Sequence, residues 1–292
     1  MFDVFGKMSR IELMQCISKN KFKSEQAHNF YFSNKDQIGD LDKNIRYGLA
    51  DLKKLIAPEK LKTEDTGLVF EYAICLYYGI PYDGKFKYET SRAEKIAEKF
   101  KHSKIQLKEI TGSDIIHTAA KRARYDFTSK DGKFKFQAKT AKKLASQKQA
   151  PEVIGQTSMK KLVDHFNLPA TYNTVQFKSW IIQNIDVYII ENYKFLFNEP
   201  ICYFVEDKFS CFWITPIKQI KIDKELVTFT RTLDNWEESN TVKYNGISIA
   251  EIQFHKASRG NVVFRFNFSS NPKNKSGIFV AFPDYFDIKQ LF

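Results

Sequence analysis

Hydrophobic residues recur at every third or fourth position in the first part of the chain. In the central and last parts they alternate with polar residues. Spacings of three and four predict helices over residues 10–17, 45–55 and 66–78, and a short charged helix over 91–100. Thr66 is expected to cap the third of these helices and Gly79 to end it. The first part of the chain is therefore predicted to be mainly helical.

From residue 105 onward the pattern changes to strands. Strands are predicted within 105–140 and, in the last part, over 201–206, 209–216, 226–232, 248–255 and 262–268. Between these groups, Thr157 or Ser158 would cap a helix to Phe166, and a second helix would cover 174–197. This order predicts an α/β fold with a mixed central β-sheet flanked by helices and a strand-rich C-terminal elaboration. We expect a helical part (1–90), an α/β core (91–200) and a β-rich part (201–292), or one continuous domain.

The segment from residue 125 to 140 has the pattern of a β-hairpin. Asp131-Gly132 is typical of a two-residue type I′ turn, because both central positions of that turn need a positive φ. With that turn, Asp126 on the first strand lies opposite Gln137 on the second. Directly opposed side chains lie about 5 Å apart.

Alternation along the second strand separates two faces. Phe134, Phe136 and Ala138 would face one way, and Gln137 and Lys139 the other. Asp126, Gln137 and Lys139 would then cluster around a space large enough for one hydrated metal ion. A surface hairpin with ordinary polar residues on its wet face would also explain the pattern.

Positive charge is concentrated around this hairpin. The 292-residue chain has a net charge of +12, and residues 85–149 contain 18 Lys and Arg against 7 Asp and Glu. Such a concentration favours binding of a polyanion such as nucleic acid, although a solvated charged face would give the same count. The four cysteines have no CxxC spacing, and no apolar run is long enough to span a bilayer. We expect a cytoplasmic protein with no membrane partner.

Hydrolysis of a phosphodiester needs a Lewis acid, an activated water and stabilisation of negative charge. The Asp126 carboxylate suits Mg²⁺, which prefers oxygen ligands and keeps several waters. The Gln137 amide oxygen and the Ala138 carbonyl are further candidate ligands, and Lys139 would orient the water or neutralise the transition state. Glu71, on the predicted helix before the sheet, is the candidate for an additional carboxylate. A Glu that pairs with a nearby Lys or Arg is the alternative there.

Asp126 followed by Gln137-Ala138-Lys139 resembles the PD-(D/E)XK nuclease superfamily, in which an acid on one strand precedes an acid-x-Lys on the next. Gln137 stands where that superfamily usually has Glu or Asp. Over residues 66–268 the chain looks like a type II restriction endonuclease. The resemblance implies a restriction-endonuclease-like core, Mg²⁺-dependent cleavage of double-stranded DNA to 5′-phosphate and 3′-hydroxyl ends, and a cognate DNA methyltransferase. A homodimer is expected if the target is palindromic.

Sequence reading would need a second set of side chains. Alternation puts Gln253 and His255 outward from a predicted strand, and Gln can bond adenine with two hydrogen bonds. Phosphate contacts are expected from His255, Lys256 and Arg259 in and after that strand. A polar strand face would also account for these residues. The remaining candidates for DNA binding are Gln156 and Thr157 at a predicted helix start, Arg124 in a basic patch, and Lys142 after the hairpin.

The sequence therefore predicts a type II site-specific deoxyribonuclease. Two alternatives stay open at this point. One is a repair or junction-resolving nuclease that reads DNA shape. The other is a DNA-binding protein without catalysis, in which Gln137 marks a decayed nuclease site.

Overall fold

A computed structural model of the chain describes residues 22–39, 41, 45–56, 63–84, 86–119, 125–143, 147–255, 261–269 and 276–292. The chain divides into two compact units, Met1–Lys62 and Thr63–Phe292. The three parts expected from the sequence stay a prediction. Among the described residues, no helix combines the length and the apolar character needed to cross a membrane.

The first unit has a small helical core. Its helices are α1 (Glu25–Ser33), α2 (Lys35–Ile38) and α3 (Leu49–Ile56). The Ser24 hydroxyl accepts a hydrogen bond from the Ala27 N–H and so caps α1. Phe22, Ala27, Tyr31 and Leu52 are buried together. The helix predicted over 10–17 lies outside the described residues, and the one predicted over 45–55 begins only at Leu49.

The helices of the second unit are α4 (Thr63–Tyr78), α5 (Ser91–Lys101), α6 (Leu107–Thr111), α7 (Met159–His165), α8 (Thr174–Gln183), α9 (Ile185–Leu196) and α10 (Ile278–Ala281). Thr66 does not cap α4, because the helix begins three residues earlier. Its hydroxyl instead donates to Oε2 of Glu206 at 3.2 Å. Gly79 has φ +69° and ends α4 as predicted.

The structure decides between the two caps predicted for the helix before Phe166, and two further predictions need correction. Ser158, and not Thr157, caps α7: its hydroxyl accepts from the Lys161 N–H. The helix predicted over 174–197 is two helices, because Asn184 leaves the helical conformation (φ −123°) and its side chain donates to the Trp180 carbonyl. The stretch 105–140 is not all strand, since α6 lies within it.

The first sheet is mixed and has the strand order β1-β2-β3-β6-β7-β12. The strands are β1 (Ile115–His117), β2 (Phe127–Ser129), β3 (Lys135–Ala141), β6 (Ile201–Val205), β7 (Ser210–Pro216) and β12 (Phe286–Gln290). Strands β3 and β6 run parallel, and the other neighbours are antiparallel. The α/β class and the mixed sheet agree with the sequence prediction.

The second sheet is antiparallel and has the order β4-β11-β10-β9-β8, with β5 also paired to β11. Its strands are β4 (Lys148–Gln149), β5 (Gln156–Ser158), β8 (Val227–Phe229), β9 (Ser239–Tyr244), β10 (Ile247–Phe254) and β11 (Asn261–Asn267). Each sheet draws strands from both sides of residue 200. The two short strands β4 and β5 lie end to end along β11. The Gln149 side chain of β4 donates to the Thr140 carbonyl of β3 at 2.8 Å, so the turn between β4 and β5 lies beside the first sheet.

The first sheet is covered on both faces. On one face, Phe204 of β6 stacks on Phe70 of α4, with ring centroids 5.2 Å apart. On the other face, Ile201 and Tyr203 join a large core with α8, α9 and the second sheet. Register with β6 assigns each residue of β3 to one of these faces: Gln137 and Lys139 lie on the side of Ile201 and Tyr203, and Ala138 lies on the α4 side.

Candidate active site around Asp126

The register of the hairpin matches the prediction, but its turn does not. Phe127 pairs with Phe136 and Thr128 with Lys135, so Asp126 stands opposite Gln137. The Gly132 N–H donates to the Ser129 carbonyl at 2.8 Å, which makes Lys130 and Asp131 the central residues of the turn. Only Gly132 has a positive φ (+71°) in this loop. A type I′ turn with both Asp131 and Gly132 at positive φ is therefore wrong.

Asp126 lies in a bend immediately before β2, where the backbone is held by its neighbours. Its carbonyl accepts from the Thr118 N–H at 2.8 Å. Its side chain, which is half-buried, accepts from the Ala138 N–H through Oδ2 at 2.7 Å. Burial raises the pKa of Asp126 to about 6; the positive charge of Lys139 opposes this rise, and the negative charge of Glu71 adds to it. Charged side chains on both faces of the sheet therefore affect the pKa of Asp126.

The amide of Gln137 is the clearest unsatisfied group near Asp126. The residue is 0 % exposed. Neither Nε2 nor Oε1 has a hydrogen-bond partner among the described residues. A buried amide without partners costs about 1 to 3 kcal/mol. Such a group in a folded protein calls for an explanation, and a bound ligand is one.

The backbone of β3 adds the Ala138 carbonyl to this group. The Gln137 N–H bonds the Pro200 carbonyl on the β6 side. Backbone groups alternate in direction along a strand, so the N–H and C=O of Ala138 point the other way, toward β2. That N–H reaches Asp126, and the carbonyl therefore lies on the same side of β3 as Asp126.

Glu71 approaches from α4, on the opposite face to Gln137 and Lys139. Its Oε2 lies 3.2 Å from Nε2 of His117 on β1, and its side chain is 12 % exposed. His117 pairs with Phe127, the residue after Asp126, so Glu71 lies beside the strand that follows Asp126, and its negative charge adds to the rise in the pKa of Asp126. The structure therefore brings Glu71 to the site, but from the other side of the sheet.

Lys139 has a partner that the sequence did not suggest. Its Nζ lies 3.0 Å from Oε1 of Glu152, and both side chains are mostly buried. Glu152 opens a tight turn in which the Ile154 N–H donates to the Glu152 carbonyl across Val153, at φ +62°. A positive φ is rare and strained for a β-branched residue. Gly155 is required in this turn, because a side-chain carbon there would collide with the backbone of Pro151.

The donor set around Asp126 suits a hard cation. Among the residues that the structure describes, no group of three or more His, Cys, Asp and Glu side chains could hold a metal ion. The candidate ligands here are two carboxylates, one amide oxygen and one backbone carbonyl. Oxygen donors of this kind fit Mg²⁺, which keeps several of its waters. The buried amide of Gln137, without a partner, fits the same group.

Two of the candidates for DNA contact, Gln156 and Gln253, lie on the second sheet. Gln156 on β5 and Gln253 on β10 are both paired with Val263 of β11. Opposed residues share a face, so the two amides lie in one row, two strand spacings or about 10 Å apart. Gln156 is exposed and Gln253 is half-buried. Oε1 of Gln253 accepts from Nη1 of Arg265 at 3.0 Å.

Two other candidates, Thr157 and Lys142, are not part of this row. Thr157 is buried within β5, opposite Val262, and is not at a helix start. His255 is exposed just after β10, and Lys142 follows β3. Arg124, Lys256 and Arg259 lie outside the described residues. These assignments stay predictions.

Reasoning from the sequence missed Glu152 and gave no role to His117. Glu152 carried no motif, and its contact depends on the turn at Val153 and on the pairing of β4 and β5 with β11. His117 lacks metal-ligand spacing, but it belongs to β1, which pairs with β2 beside Asp126. The alternation of residues along β1 could have pointed to His117, because it puts this side chain on the face toward α4.

Comparison with known proteins shows a similarity to a restriction enzyme. The chain is 33 % identical over 233 residues to the type II restriction enzyme CviAII of Paramecium bursaria Chlorella virus 1. The matched region is 79 % of this chain, and it spans 64 % of the length of that relative. No family model matches the chain. No solved structure matches it either. The similarity supports the resemblance to type II restriction enzymes, while the PD-(D/E)XK assignment stays a prediction.

Proposed function

We propose that this chain is a Mg²⁺-dependent, sequence-specific endonuclease of the type II restriction kind. It would hydrolyse both strands of double-stranded DNA and leave 5′-phosphate and 3′-hydroxyl ends. The observation that carries the proposal is the group formed by Asp126, Gln137, Ala138 and Lys139, in which the buried amide of Gln137 has no partner among the described residues. The similarity to a type II restriction enzyme supports the same reading.

Four groups would hold the metal: the carboxylates of Asp126 and Glu71, the amide oxygen of Gln137 and the carbonyl of Ala138. When bound, Mg²⁺ supplies Lewis-acid polarisation of the scissile phosphate. Oδ2 of Asp126 is engaged by the Ala138 N–H, which fixes the carboxylate. The other oxygen, Oδ1, is then presented in a defined direction.

Lys139 would supply positive charge to the reacting phosphate. Its ammonium has three donors, of which one is used by Glu152. The other two would orient the attacking water or bond an oxygen of the phosphate as negative charge develops. Glu152 limits the motion of the ammonium and so keeps these donors in place.

Sequence reading would use the row of amides on the second sheet. Gln156 and Gln253 share a face about 10 Å apart, a distance close to that of three base pairs along DNA at 3.4 Å each. The remaining proposed contacts to DNA are His255, Lys142, Thr157, Arg124, Lys256 and Arg259. The face connects to the catalytic group through the turn that contains Glu152.

The proposal includes a homodimer on palindromic DNA, because each strand needs a catalytic centre. It also includes a cognate DNA methyltransferase that acts on the same sequence. That partner would be functional, with no physical contact required.

Digestion of sequenced plasmid or phage DNA tests the proposal. The parent protein is incubated with Mg²⁺, with EDTA, or as the Lys139→Ala variant. Lys133→Ala is the matched control, because Lys133 belongs to the same hairpin but is exposed in its turn. Discrete fragments with Mg²⁺ and with Lys133→Ala, lost with EDTA and Lys139→Ala, are the expected result.

Other outcomes point to other functions. A smear would favour a structure-selective or nonspecific nuclease. Absence of cleavage on unmethylated DNA of many sequences, with salt-dependent binding kept, would favour a binding protein and contradict the proposal. Mapping the fragment ends would give the recognition site and the cut position.

A further inference from the structure

The imidazole of His117 is held firmly by the residues around it. Its side chain is 1 % exposed. It stacks on Tyr82, with ring centroids 4.5 Å apart and an interplanar angle of 23°, and it meets Phe127 at 5.1 Å. A ring packed in this way has little freedom to turn. Its two nitrogens therefore point in fixed directions.

The partners of those nitrogens determine where the proton lies. The backbone N–H of Asp83 donates to Nδ1 at 3.0 Å. A backbone amide nitrogen donates only, so Nδ1 carries a lone pair and the proton of the neutral ring lies on Nε2. The Nε2–H donates to Oε2 of Glu71 at 3.2 Å. The loop at Asp83 thus sets the tautomer of a histidine that in turn bonds a carboxylate.

We propose that His117 is a positioning residue, which holds Oε2 of Glu71 so that Oε1 faces the cation bound beside Asp126. The inference rests on the proposed function, because it concerns the same metal site. Two negative charges repel each other, so without the hydrogen bond from His117 the Glu71 carboxylate would turn away from Asp126. Hydrogen bonds that orient the ligands of a metal typically account for 10- to 100-fold in metal affinity.

Two substitutions separate the two hydrogen bonds of the ring. His117→Gln keeps an N–H donor near the position of Nε2, so it can still bond Glu71. His117→Asn keeps an acceptor near the position of Nδ1 for the Asp83 N–H, but it loses the donor to Glu71. Both remove the stacked ring, so their effects on packing are matched. His102→Gln is the outer control, since His102 bonds Glu98 on an exposed helix face.

The readout is binding of Mn²⁺ without DNA, measured by calorimetry and by the shift of the thermal unfolding midpoint. We expect about 10- to 100-fold weaker binding for His117→Asn and binding within a few-fold of the parent for His117→Gln and His102→Gln. Binding by His117→Asn equal to that of the parent would overturn the inference, as would an equal loss in both His117 variants. If Mn²⁺ bound equally to the parent and to Asp126→Asn, the proposed metal site itself would fail.

A measurement on the parent protein covers the case in which His117→Asn does not fold. Nitrogen-15 NMR of the labelled histidines distinguishes a protonated Nε2 from a protonated Nδ1. The inference requires the proton of His117 on Nε2 in the metal-free protein. A proton on Nδ1 would overturn it, because the ring would then have no donor for Glu71.

Discussion

Nζ of Lys139, on β3 of the first sheet, lies 3.0 Å from Oε1 of Glu152 in the turn between β4 and β5 of the second sheet. This ion pair connects the proposed catalytic group to the strands that carry Gln156 and Gln253. A mostly buried pair is less screened by water than a surface pair. The contact therefore affects both the stability of the turn and the position of the ammonium.

The first prediction concerns this pair. Glu152→Ala should reduce the cleavage rate about tenfold, because Lys139 loses the contact that restricts it. A double-mutant cycle measured by urea unfolding should give an interaction free energy of about 1 kcal/mol between Lys139 and Glu152. Additive effects on stability, together with a cleavage rate that Glu152→Ala leaves unchanged, would show that the two residues act independently.

The second prediction concerns the raised pKa of Asp126. The pKa is about 6 in the folded protein and near 3.8 without the fold, so the folded state binds the proton more tightly. The contribution of the protonated Asp126 carboxyl to the free energy of unfolding is fully present below about pH 3.8 and is lost as the pH rises through about 6. In EDTA at pH 8, Asp126→Asn should therefore be more stable than the parent by up to about 3 kcal/mol.

Urea unfolding at pH 4 and pH 8 checks this prediction. The gain from Asp126→Asn should shrink at pH 4, where the parent carboxyl is also neutral. Asp114→Asn is the control, because Asp114 is a highly exposed carboxylate of the same sheet region; we expect a change within about 0.5 kcal/mol. If Asp126→Asn stabilised the protein equally at both pH values, the raised pKa of Asp126 would not be the cause of the stabilisation.

The hairpin could be predicted from the sequence because its information is local. A Gly in the turn and a period of two along β3 are enough to put Asp126 opposite Gln137, even though the turn type differed. The partner of Lys139 could not be predicted in this way. Glu152 is only 13 residues away. Its contact nevertheless depends on an unusual φ at Val153 and on pairing with β11, more than a hundred residues later.

The same distinction applies to Glu71. Its helix was readable from apolar spacing, but its partner His117 is 46 residues away. The tautomer of that ring is set by a backbone N–H of a third segment, at Asp83. The break at Asn184 was also not visible, because the flanking apolar spacing continues through it. Local patterns gave the elements, and contacts between distant segments decided the site.

The third prediction concerns the buried amide of Gln137. Gln137→Leu should stabilise the metal-free protein by about 1 to 3 kcal/mol, because the unpaired amide is replaced by an apolar group of similar size. The same variant should lose Mn²⁺ binding. Gln137→Glu should be less stable than the parent in EDTA, since it buries a charge. It should regain stability when Mn²⁺ is added.

Thermal unfolding with and without Mn²⁺ measures both effects. A Gln137→Leu variant that is less stable than the parent would indicate that the amide has a partner in the folded protein. A Gln137→Glu variant with no gain on addition of Mn²⁺ would remove Gln137 from the proposed metal ligands. The two substitutions thus test the same side chain in opposite directions.

The fourth prediction concerns sequence reading by Gln253. Arg265 donates to Oε1 of Gln253 at 3.0 Å, which fixes the amide and directs Nε2 as a donor. Gln253→Ala should reduce cleavage of the preferred DNA site by about 10- to 100-fold, since a good contact to a base edge contributes about 1 to 3 kcal/mol. Gln253→Glu keeps an acceptor for Arg265 but loses the donor, so it should be as defective as Gln253→Ala.

Binding to DNA without the site should change little, because phosphate contacts dominate it. Thr228→Ala, at an exposed position of β8 in the same sheet, is the control. If Gln253→Glu cleaves the preferred site as well as the parent, Nε2 does not read the base and the role of Gln253 is limited to its contact with Arg265.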